Sequence, residues 1–141
     1  MISISRTLHF DAAHRVLNHE SKCKNLHGHR YVLEVFFTST QLDDLGRVVD
    51  FSVIKDLLGN WIDNNFDHNV ILHEQDKELG ENIATITGQK IFYLPYNPTA
   101  ENIARYLLDE ICPKLFLGQN INFPKIRLYE TPNCFAEYQR S

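Results

Sequence analysis

The sequence has no apolar run approaching the roughly 18 residues that a membrane-spanning helix needs, so neither a membrane protein nor a membrane partner is expected. It has only three cysteines, an odd number at scattered spacing, which does not suggest a disulfide framework. Basic residues are outnumbered, because 14 lysines and arginines against 18 aspartates and glutamates give a net charge of −4. They are dispersed along the chain, so nucleic-acid binding is not expected either.

The sequence also has no internal repeat and no low-complexity tract. The first six residues have no basic segment followed by an apolar core, and we therefore expect a cytoplasmic protein. A chain of 141 residues has the usual length of one domain and is long enough to bury a hydrophobic core. We expect residues 1–141 to form a single domain.

Alternating apolar and polar residues predict strands near both ends of the chain. Residues 2–10 and 31–38 are the first two candidates, and residues 125–130 and 135–138 are the last two. A polar, basic loop separates the first pair, and residues 90–94 are a further candidate for a short strand. Strand pairs at both ends with helices between them predict an α+β fold.

Two segments between these strand pairs have the apolar spacing of helices. The first has Asp50 or Ser52 available as its N-cap. The second begins near Pro98 and is expected to end at Pro113, because proline lacks the backbone N–H that a helix interior uses. A short third helix is a candidate within residues 75–90. The main elements therefore follow the order ββααββ.

Histidine is abundant: the chain has seven, and several lie in the first thirty residues. His27 and His29 flank Gly28 at the start of the second strand candidate, and because strand side chains alternate, both imidazoles project to one face. His14 supplies a third imidazole if the first two strands pair antiparallel. Three neutral nitrogen ligands with no obvious fourth describe a catalytic zinc site with an open position. A chance pair of surface or core histidines is the alternative.

Cys23 lies four residues before His27, so the intervening loop can hold its sulfur beside a metal-bound substrate. A nearby cation lowers the pKa of a thiol and favours the thiolate, which acts as a general base or as a nucleophile. The other two cysteines, Cys112 and Cys134, are expected to be small buried hydrophobic residues.

Two further acidic positions are candidates for proton transfer and for ligand binding. Asp67 and His68 follow the first helix, where backbone geometry normally points adjacent side chains apart. The two either serve a site shared with a neighbouring subunit or form a polar helix end. Glu130 ends an apolar strand candidate, where its carboxylate can accept two parallel hydrogen bonds from the N–C–N edge of a pterin or guanine. A solvated side chain is the alternative for Glu130.

Taken in order, these segments resemble the 6-pyruvoyl-tetrahydropterin synthase family, and the resemblance spans nearly the whole chain. Three residues separate Cys23 from the His-Gly-His unit, a spacing similar to that of the 6-carboxy-tetrahydropterin synthase branch of queuosine and deazapurine biosynthesis. The matching segments are Phe10-Asp-Ala-Ala-His14, Cys23-Lys-Asn-Leu-His-Gly-His29, Val49-Asp-Phe51, Asp67-His68, Asn97-Pro-Thr-Ala-Glu-Asn102 and Glu130-Thr131.

The resemblance implies the tunnelling fold, in which ββααββ protomers with an antiparallel sheet and helices on one face form trimeric barrels. Two trimers stack into a homohexamer, and the active sites lie at subunit interfaces. The resemblance also implies a lyase that binds Zn2+ through His14, His27 and His29.

By the same resemblance, the substrate is 7,8-dihydroneopterin triphosphate. Cys23 is the general base, and Asp67 and His68 manage proton transfer as triphosphate is eliminated. In the carboxy branch the shortened side chain also leaves as acetaldehyde. The substrate-binding residues that the resemblance implies are Glu130, Thr99 and Thr131.

The long segment from residue 72 to residue 96 departs from the family's pattern, so the resemblance does not define the shape of the pocket or the substrate preference there. A locally positive mouth is expected for a triphosphate substrate, because the protein as a whole is acidic. The basic residues close in sequence to the proposed ligands, which are candidates for binding phosphate, are Arg15, Lys22, Lys24 and Arg30.

Three other functions remain open. In a related branch of the family, the same zinc site and catalytic residues yield a 6-pyruvoyl product. A zinc hydrolase would activate water with Asp67 or Glu101 as its base and would not need Cys23. An oligomer that binds pterins or purines without catalysis would need only Glu130.

Overall fold

The computed structural model describes residues 1–140, whose six strands form one mixed sheet. The strands in chain order are β1 (Ile2–His14), β2 (His27–Ser39), β3 (Asn69–His73), β4 (Ile91–Leu94), β5 (Asn122–Thr131) and β6 (Cys134–Gln139). Across the sheet they lie in the order β4-β3-β1-β2-β5-β6. The long antiparallel β1–β2 hairpin is therefore its centre.

Within residues 1–140, three helices lie on one side of this sheet, and none is long and apolar enough to cross a membrane. Helices α1 (residues 51–65) and α3 (residues 100–115) each contain a π-helical segment between α-helical ends. Helix α2 (Lys77–Thr87) follows a 3-10 turn at Glu74–Asp76. The segments of α1 and α3 are Phe51–Ile54, Lys55–Gly59 (π) and Asn60–Asn65, then Ala100–Tyr106, Leu107–Ile111 (π) and Cys112–Leu115.

Side-chain alternation directs the apolar residues of the central strands toward the helices. The even-numbered residues from Leu8 to His14 and the odd-numbered residues from Tyr31 to Phe37 are buried on this face. Phe10 stacks on Tyr31 with ring centroids 4.7 Å apart. His14 therefore belongs to the core-facing side of the sheet. The buried side chains from α1 and α3 that pack against these strands are Ile54, Leu58, Ile62, Ile103, Leu107 and Ile111.

The predicted α+β class is confirmed, as is the placement of the helices on one side of the sheet. The strands predicted near both chain ends are present. The short helix and the short strand expected within residues 75–90 and 90–94 are α2 and β4. Asp50 is the N-cap of α1, because its carboxylate accepts a hydrogen bond of 2.9 Å from the Ser52 N–H.

Three expectations need correction. The sheet is not wholly antiparallel, and the order ββααββ is incomplete, because β3 pairs parallel with both β1 and β4. Residues 69–73 form a short buried run, which periodicity alone cannot distinguish from a helix segment. Helix α3 does not end at Pro113 but continues to Leu115. The proline lies in the first turn of its last α-helical segment, where a missing N–H is tolerated.

Candidate functional site

Three histidines converge at the end of the β1–β2 hairpin. The antiparallel register places His14 opposite His27 and Ala12 opposite His29, so all three imidazoles lie on the helix-facing side of the sheet. The ring centroids are 4.7 Å apart for His14 and His27, and 4.8 Å apart for His27 and His29. One ring nitrogen from each lies within 4.8 Å of the other two, so the three can bind a single ion.

The hydrogen bonds of the rings leave the Nε2 atoms available. His14 Nδ1 lies 2.7 Å from the Pro98 carbonyl oxygen, and His27 Nδ1 lies 2.7 Å from that of Asn25. A neutral imidazole that donates through Nδ1 presents a lone pair at Nε2. The Nε2 atoms of His14 and His29 are buried and have no hydrogen-bond partner within residues 1–140. Two buried ring nitrogens without a partner, with the Nε2 atom of His27 beside them, fit a metal ion.

Burial favours the neutral imidazole at His14 and at His29. His14 is 2% exposed, and burial lowers its pKa to about 4, against the opposing effect of the hydrogen bond to Pro98. Burial also lowers the pKa of His29, and the nearby Glu130 carboxylate opposes that shift. A neutral imidazole is the form that binds a metal, so the ligand form of His14 needs no proton release at neutral pH.

Two supports of this cluster were not foreseen from the sequence. The Pro98 carbonyl, at the start of α3, has no sequence signal of its own. Tyr31 is fully buried, and its hydroxyl lies 3.2 Å from His14 Nδ1. Burial raises the pKa of Tyr31, so the phenol stays neutral. Tyr31 follows His29 by two residues in β2, and strand alternation is the signal that places both on one face.

Glu130 joins the histidine cluster to a neighbouring cavity. Its Oε1 lies 3.2 Å from His29 Nε2, although the contact lacks the geometry of a hydrogen bond. It is the penultimate residue of β5, the strand next to β2. A cavity of about 410 Å³ opens here, and its lining consists of Ala100, Glu101, Glu130 and residues 134–137.

The three cysteines differ in their surroundings. Cys23 is half-buried in a 3-10 turn, Lys22–Lys24, of the β1–β2 loop, and its carbonyl accepts a hydrogen bond of 2.9 Å from the Val16 N–H. Cys112 is buried as expected, and burial raises its pKa to about 12. The expectation that Cys134 is buried is wrong. It begins the edge strand β6, is exposed and lines the cavity beside Glu130.

Asp67 and His68 form a hydrogen-bonded pair held by the backbone of Asp11. The Asp11 N–H donates to Asp67 Oδ1 over 2.9 Å, and the His68 N–H donates to the Asp11 carbonyl over 2.6 Å. The expectation that the two side chains point apart is wrong, because His68 has a φ of 60°. This left-handed conformation accompanies a distance of 2.9 Å between its Nδ1 and Asp67 Oδ2.

The hydrogen bond between the two side chains shifts the pKa of each. The hydrogen bond and charge of Asp67 raise the pKa of His68. Burial pushes the pKa of Asp67 upward, but the hydrogen bonds from Asp11 and His68 outweigh it and lower that pKa. His68 is exposed, so its proton can exchange with a ligand or with solvent.

This pair and the histidine cluster lie on opposite sides of the sheet. The carboxylate of Asp11 is close to both Asp67 and His68, with ligand atoms within 4.8 Å of one another, and it also contacts Arg30 at 3.3 Å. Asp11 is three residues before His14 in β1, so the two side chains project to opposite faces. Within one chain, the Asp67–His68 pair therefore does not face the three histidines.

The two threonines predicted to assist ligand binding lie at element ends. Thr99 is the N-cap of α3, and its hydroxyl accepts a hydrogen bond of 3.1 Å from the Asn102 N–H. Thr131 ends β5, and its hydroxyl accepts a bond of 3.3 Å from the Asn133 N–H in the turn to β6. Their contribution to ligand binding stays a prediction.

Comparison with known proteins identifies the family. The family model for 6-pyruvoyl tetrahydropterin synthase matches residues 3–141. The chain belongs to this family. A relative from Rickettsia felis named 6-carboxy-5,6,7,8-tetrahydropterin synthase is 56% identical over 137 residues, covering 97% of this chain and 99% of its own. A Haemophilus influenzae relative of the same name is 35% identical and covers 99% of both chains.

Solved structures agree on the fold of this tetrahydropterin synthase family member. An uncharacterized protein from Wolinella succinogenes superposes with a TM-score of 0.83 at 22% identity, covering 99% of this chain and 98% of its own. The Caenorhabditis elegans 6-pyruvoyl tetrahydropterin synthase superposes with a TM-score of 0.70 at 24% identity, covering 99% and 96%. The predicted family, the carboxy branch and the tunnelling fold are thereby confirmed.

The buried His14 makes the stability of the metal-free protein depend on pH. The unfolded chain takes up a proton on this histidine below pH 6.5, whereas the folded protein resists protonation down to about pH 4. The free energy of unfolding should therefore fall as the pH drops from 6.5 to 4, by about 2–3 kcal/mol from this residue. Urea unfolding at fixed protein concentration measures it. The wild type should lose that much more stability than His14→Gln, and equal losses would contradict the assignment.

Proposed function

We propose that the protein is a zinc-dependent 6-carboxy-5,6,7,8-tetrahydropterin synthase, a cytoplasmic lyase of queuosine and 7-deazapurine biosynthesis. It converts 7,8-dihydroneopterin triphosphate and one water molecule to 6-carboxy-tetrahydropterin, acetaldehyde and triphosphate. The 56% identity to the Rickettsia felis relative of that name supports the reaction. The observation that carries the zinc dependence is the pair of buried Nε2 atoms of His14 and His29, which have no partner among the described residues.

The donor set suits zinc better than a hard cation. Imidazole nitrogen is a preferred ligand of zinc, and three protein ligands leave a position for substrate. His14, His27 and His29 would hold the ion through Nε2, with the Nδ1 atoms of His14 and His27 fixed on backbone carbonyls. When bound, zinc supplies Lewis acidity, which polarises the side-chain oxygens of the substrate and acidifies the adjacent C–H bonds.

Cys23 acts in this proposal as the general base that removes a carbon-bound proton from the substrate side chain. Its position four residues before His27, in the loop that leads into β2, supports this role. The other half-buried or buried thiol, Cys112, lies in α3 with a raised pKa and cannot substitute for it.

Asp67 and His68 transfer the second proton. The hydrogen bond to Asp67 raises the pKa of His68, which favours the imidazolium that gives a proton to the departing group. The backbone of Asp11 holds both residues and so fixes the orientation of the ring.

Glu130 anchors the pterin ring in the cavity beside the histidines. Its carboxylate can accept two parallel hydrogen bonds from the N–C–N edge of the ring. The 3.2 Å distance from Glu130 to His29 brings a ring bound there close to the metal ligands. Thr99 and Thr131, at the ends of neighbouring elements, assist this anchoring.

The complete site is shared between subunits of a homohexamer. The Asp67–His68 pair is on the opposite side of the sheet from His14, so one chain alone cannot bring the pair to its own histidines. A neighbouring copy would supply it. The closed trimeric barrel of the tunnelling fold, stacked as a dimer of trimers, offers such a neighbour.

Incubation of the zinc-loaded protein with 7,8-dihydroneopterin triphosphate should release triphosphate and acetaldehyde and form 6-carboxy-tetrahydropterin, as identified by mass spectrometry. Cys23→Ala should lose about 100-fold or more in kcat, because the general base is removed. It should retain zinc, whereas His27→Ala should lose both zinc and activity. Cys112→Ala, which removes the buried thiol of α3, is the matched control and should keep wild-type turnover.

Other outcomes have distinct meanings. A 6-pyruvoyl product would assign the protein to the sister activity of the family. Full turnover by Cys23→Ala with none by His27→Ala would favour a zinc hydrolase and contradict the base assigned here. Binding of the pterin without any turnover would leave a non-catalytic binding protein.

Mixing two inactive variants tests the shared site. Subunits of Cys23→Ala and His68→Ala, unfolded together and reassembled, should recover about a quarter of the wild-type activity, because random assembly restores one fully native site in four. Native mass spectrometry verifies that mixed assemblies form. If mixed assemblies stay inactive, Cys23 and His68 serve the same site from one chain, and the shared site is wrong.

A further inference from the structure

The loop that carries Cys23 has little structure of its own. Residues 15–26 connect β1 to β2, are mostly exposed and contain one 3-10 turn. The bond from the Val16 N–H to the Cys23 carbonyl, 2.9 Å long, ties the two sides of the loop together. The place of Cys23 therefore depends on what holds the residues around Val16.

The first attachment of this loop is an ion pair with a buried carboxylate. Arg15 Nε lies 2.6 Å from Asp76 Oδ2, and Arg15 Nη2 lies 2.5 Å from Asp76 Oδ1. Asp76 is only 5% exposed and belongs to the 3-10 turn before α2. Two parallel charge-assisted bonds fix direction as well as distance, and a buried carboxylate depends on its partner. Arg15 is thereby occupied and is not free to bind the triphosphate.

The second attachment is the side-chain amide of Asn97. Its Oδ1 accepts a hydrogen bond of 2.9 Å from the Leu17 N–H, and its Nδ2 donates one of 3.1 Å to the Leu17 carbonyl. Asn97 is itself fixed, because its carbonyl accepts bonds of 2.9 Å from the Thr99 N–H and from Asn102 Nδ2. The next carbonyl, that of Pro98, accepts the bond from His14.

Both attachments reach residues directly after His14, and both come from outside the β1–β2 hairpin. We propose that Asp76 and Asn97 are positioning residues that hold residues 15–17 and, through the Val16–Cys23 bond, fix the Cys23 thiol relative to the three histidines. The catalytic consequence rests on the proposed function, in which Cys23 is the base. The long segment between β3 and α3 then has a role, because it supplies Asp76.

Hydrogen–deuterium exchange of the full-length, zinc-loaded protein tests the physical part without any substrate. Asp76→Asn and Asn97→Ala should each speed exchange in the peptide covering residues 15–26 by about tenfold or more, because a charged or paired hydrogen bond is lost. Exchange in residues 31–37 of β2 should stay unchanged. The matched controls are Glu78→Gln and Asn82→Ala, exposed residues of α2 with no side-chain bond within residues 1–140.

A double-mutant comparison keeps the test valid if one variant is damaged. Arg15→Gln should speed exchange as much as Asp76→Asn, and the double variant should exchange no faster than either, since all three break the same pair. Asn97→Ala acts through a separate bond and should add to either. If Asp76→Asn also loosens residues 31–37, exchange in Asn97→Ala alone decides whether the attachments hold the loop.

Turnover then tests the consequence for the reaction. The two variants should lose about tenfold in kcat with KM changed less than about twofold, because the base is misplaced while the ring pocket is intact. Exchange at the wild-type rate in both variants, or equal acceleration in the controls, would overturn the proposal. A protein that fails to turn over the pterin would refute the proposed function, and the exchange data would still decide whether Asp76 and Asn97 hold the loop.

Discussion

The register of the β1–β2 hairpin is the constraint on which the site depends. His14 stands opposite His27 only in this register, and a shift by one residue would turn His27 and His29 to the other face of the sheet. Packing in the core, away from the histidines, fixes the pairing of β1 with β2, because Phe10 stacks on Tyr31 there. At the site itself, a Cβ at Gly28 would lie 3.3 Å from the Ala12 carbonyl oxygen, so glycine suits the close approach of the strands there.

The backbone then decides which nitrogen each ring presents. Carbonyl oxygens of Pro98 and Asn25 hold the Nδ1 atoms of His14 and His27, and burial disfavours protonation of His14. The same logic holds across the sheet, where the backbone of Asp11 fixes Asp67 and His68. Main-chain groups thus orient both halves of the proposed site, and Asp11, which holds the second half, belongs to the same central hairpin as the three histidines. Because these halves face opposite sides, assembly of subunits is a physical requirement of the proposed reaction.

The sequence predicted the parts of the site that follow from local rules. Strand alternation placed His27 and His29 on one face, and turn residues and apolar runs gave the hairpins at both ends of the chain. The sequence did not predict the structural features that depend on residues far away along the chain. The short run of β3 becomes a strand because β1 and β4 flank it, and His68 meets Asp67 through a left-handed backbone. No local pattern reveals that Asp76 pairs with Arg15.

The most direct test of the account is the binding of cobalt(II) in place of zinc, because its visible spectrum reports both coordination number and ligand type. We expect one cobalt ion per chain. Its visible absorption bands should have the intensity of a four- or five-coordinate ion, and there should be no thiolate charge-transfer band. The spectrum should be unchanged by Cys23→Ala and lost in His27→Ala. A spectrum that survives His27→Ala, or a charge-transfer band that disappears with Cys23, would contradict a site built from three histidines with a free cysteine beside it.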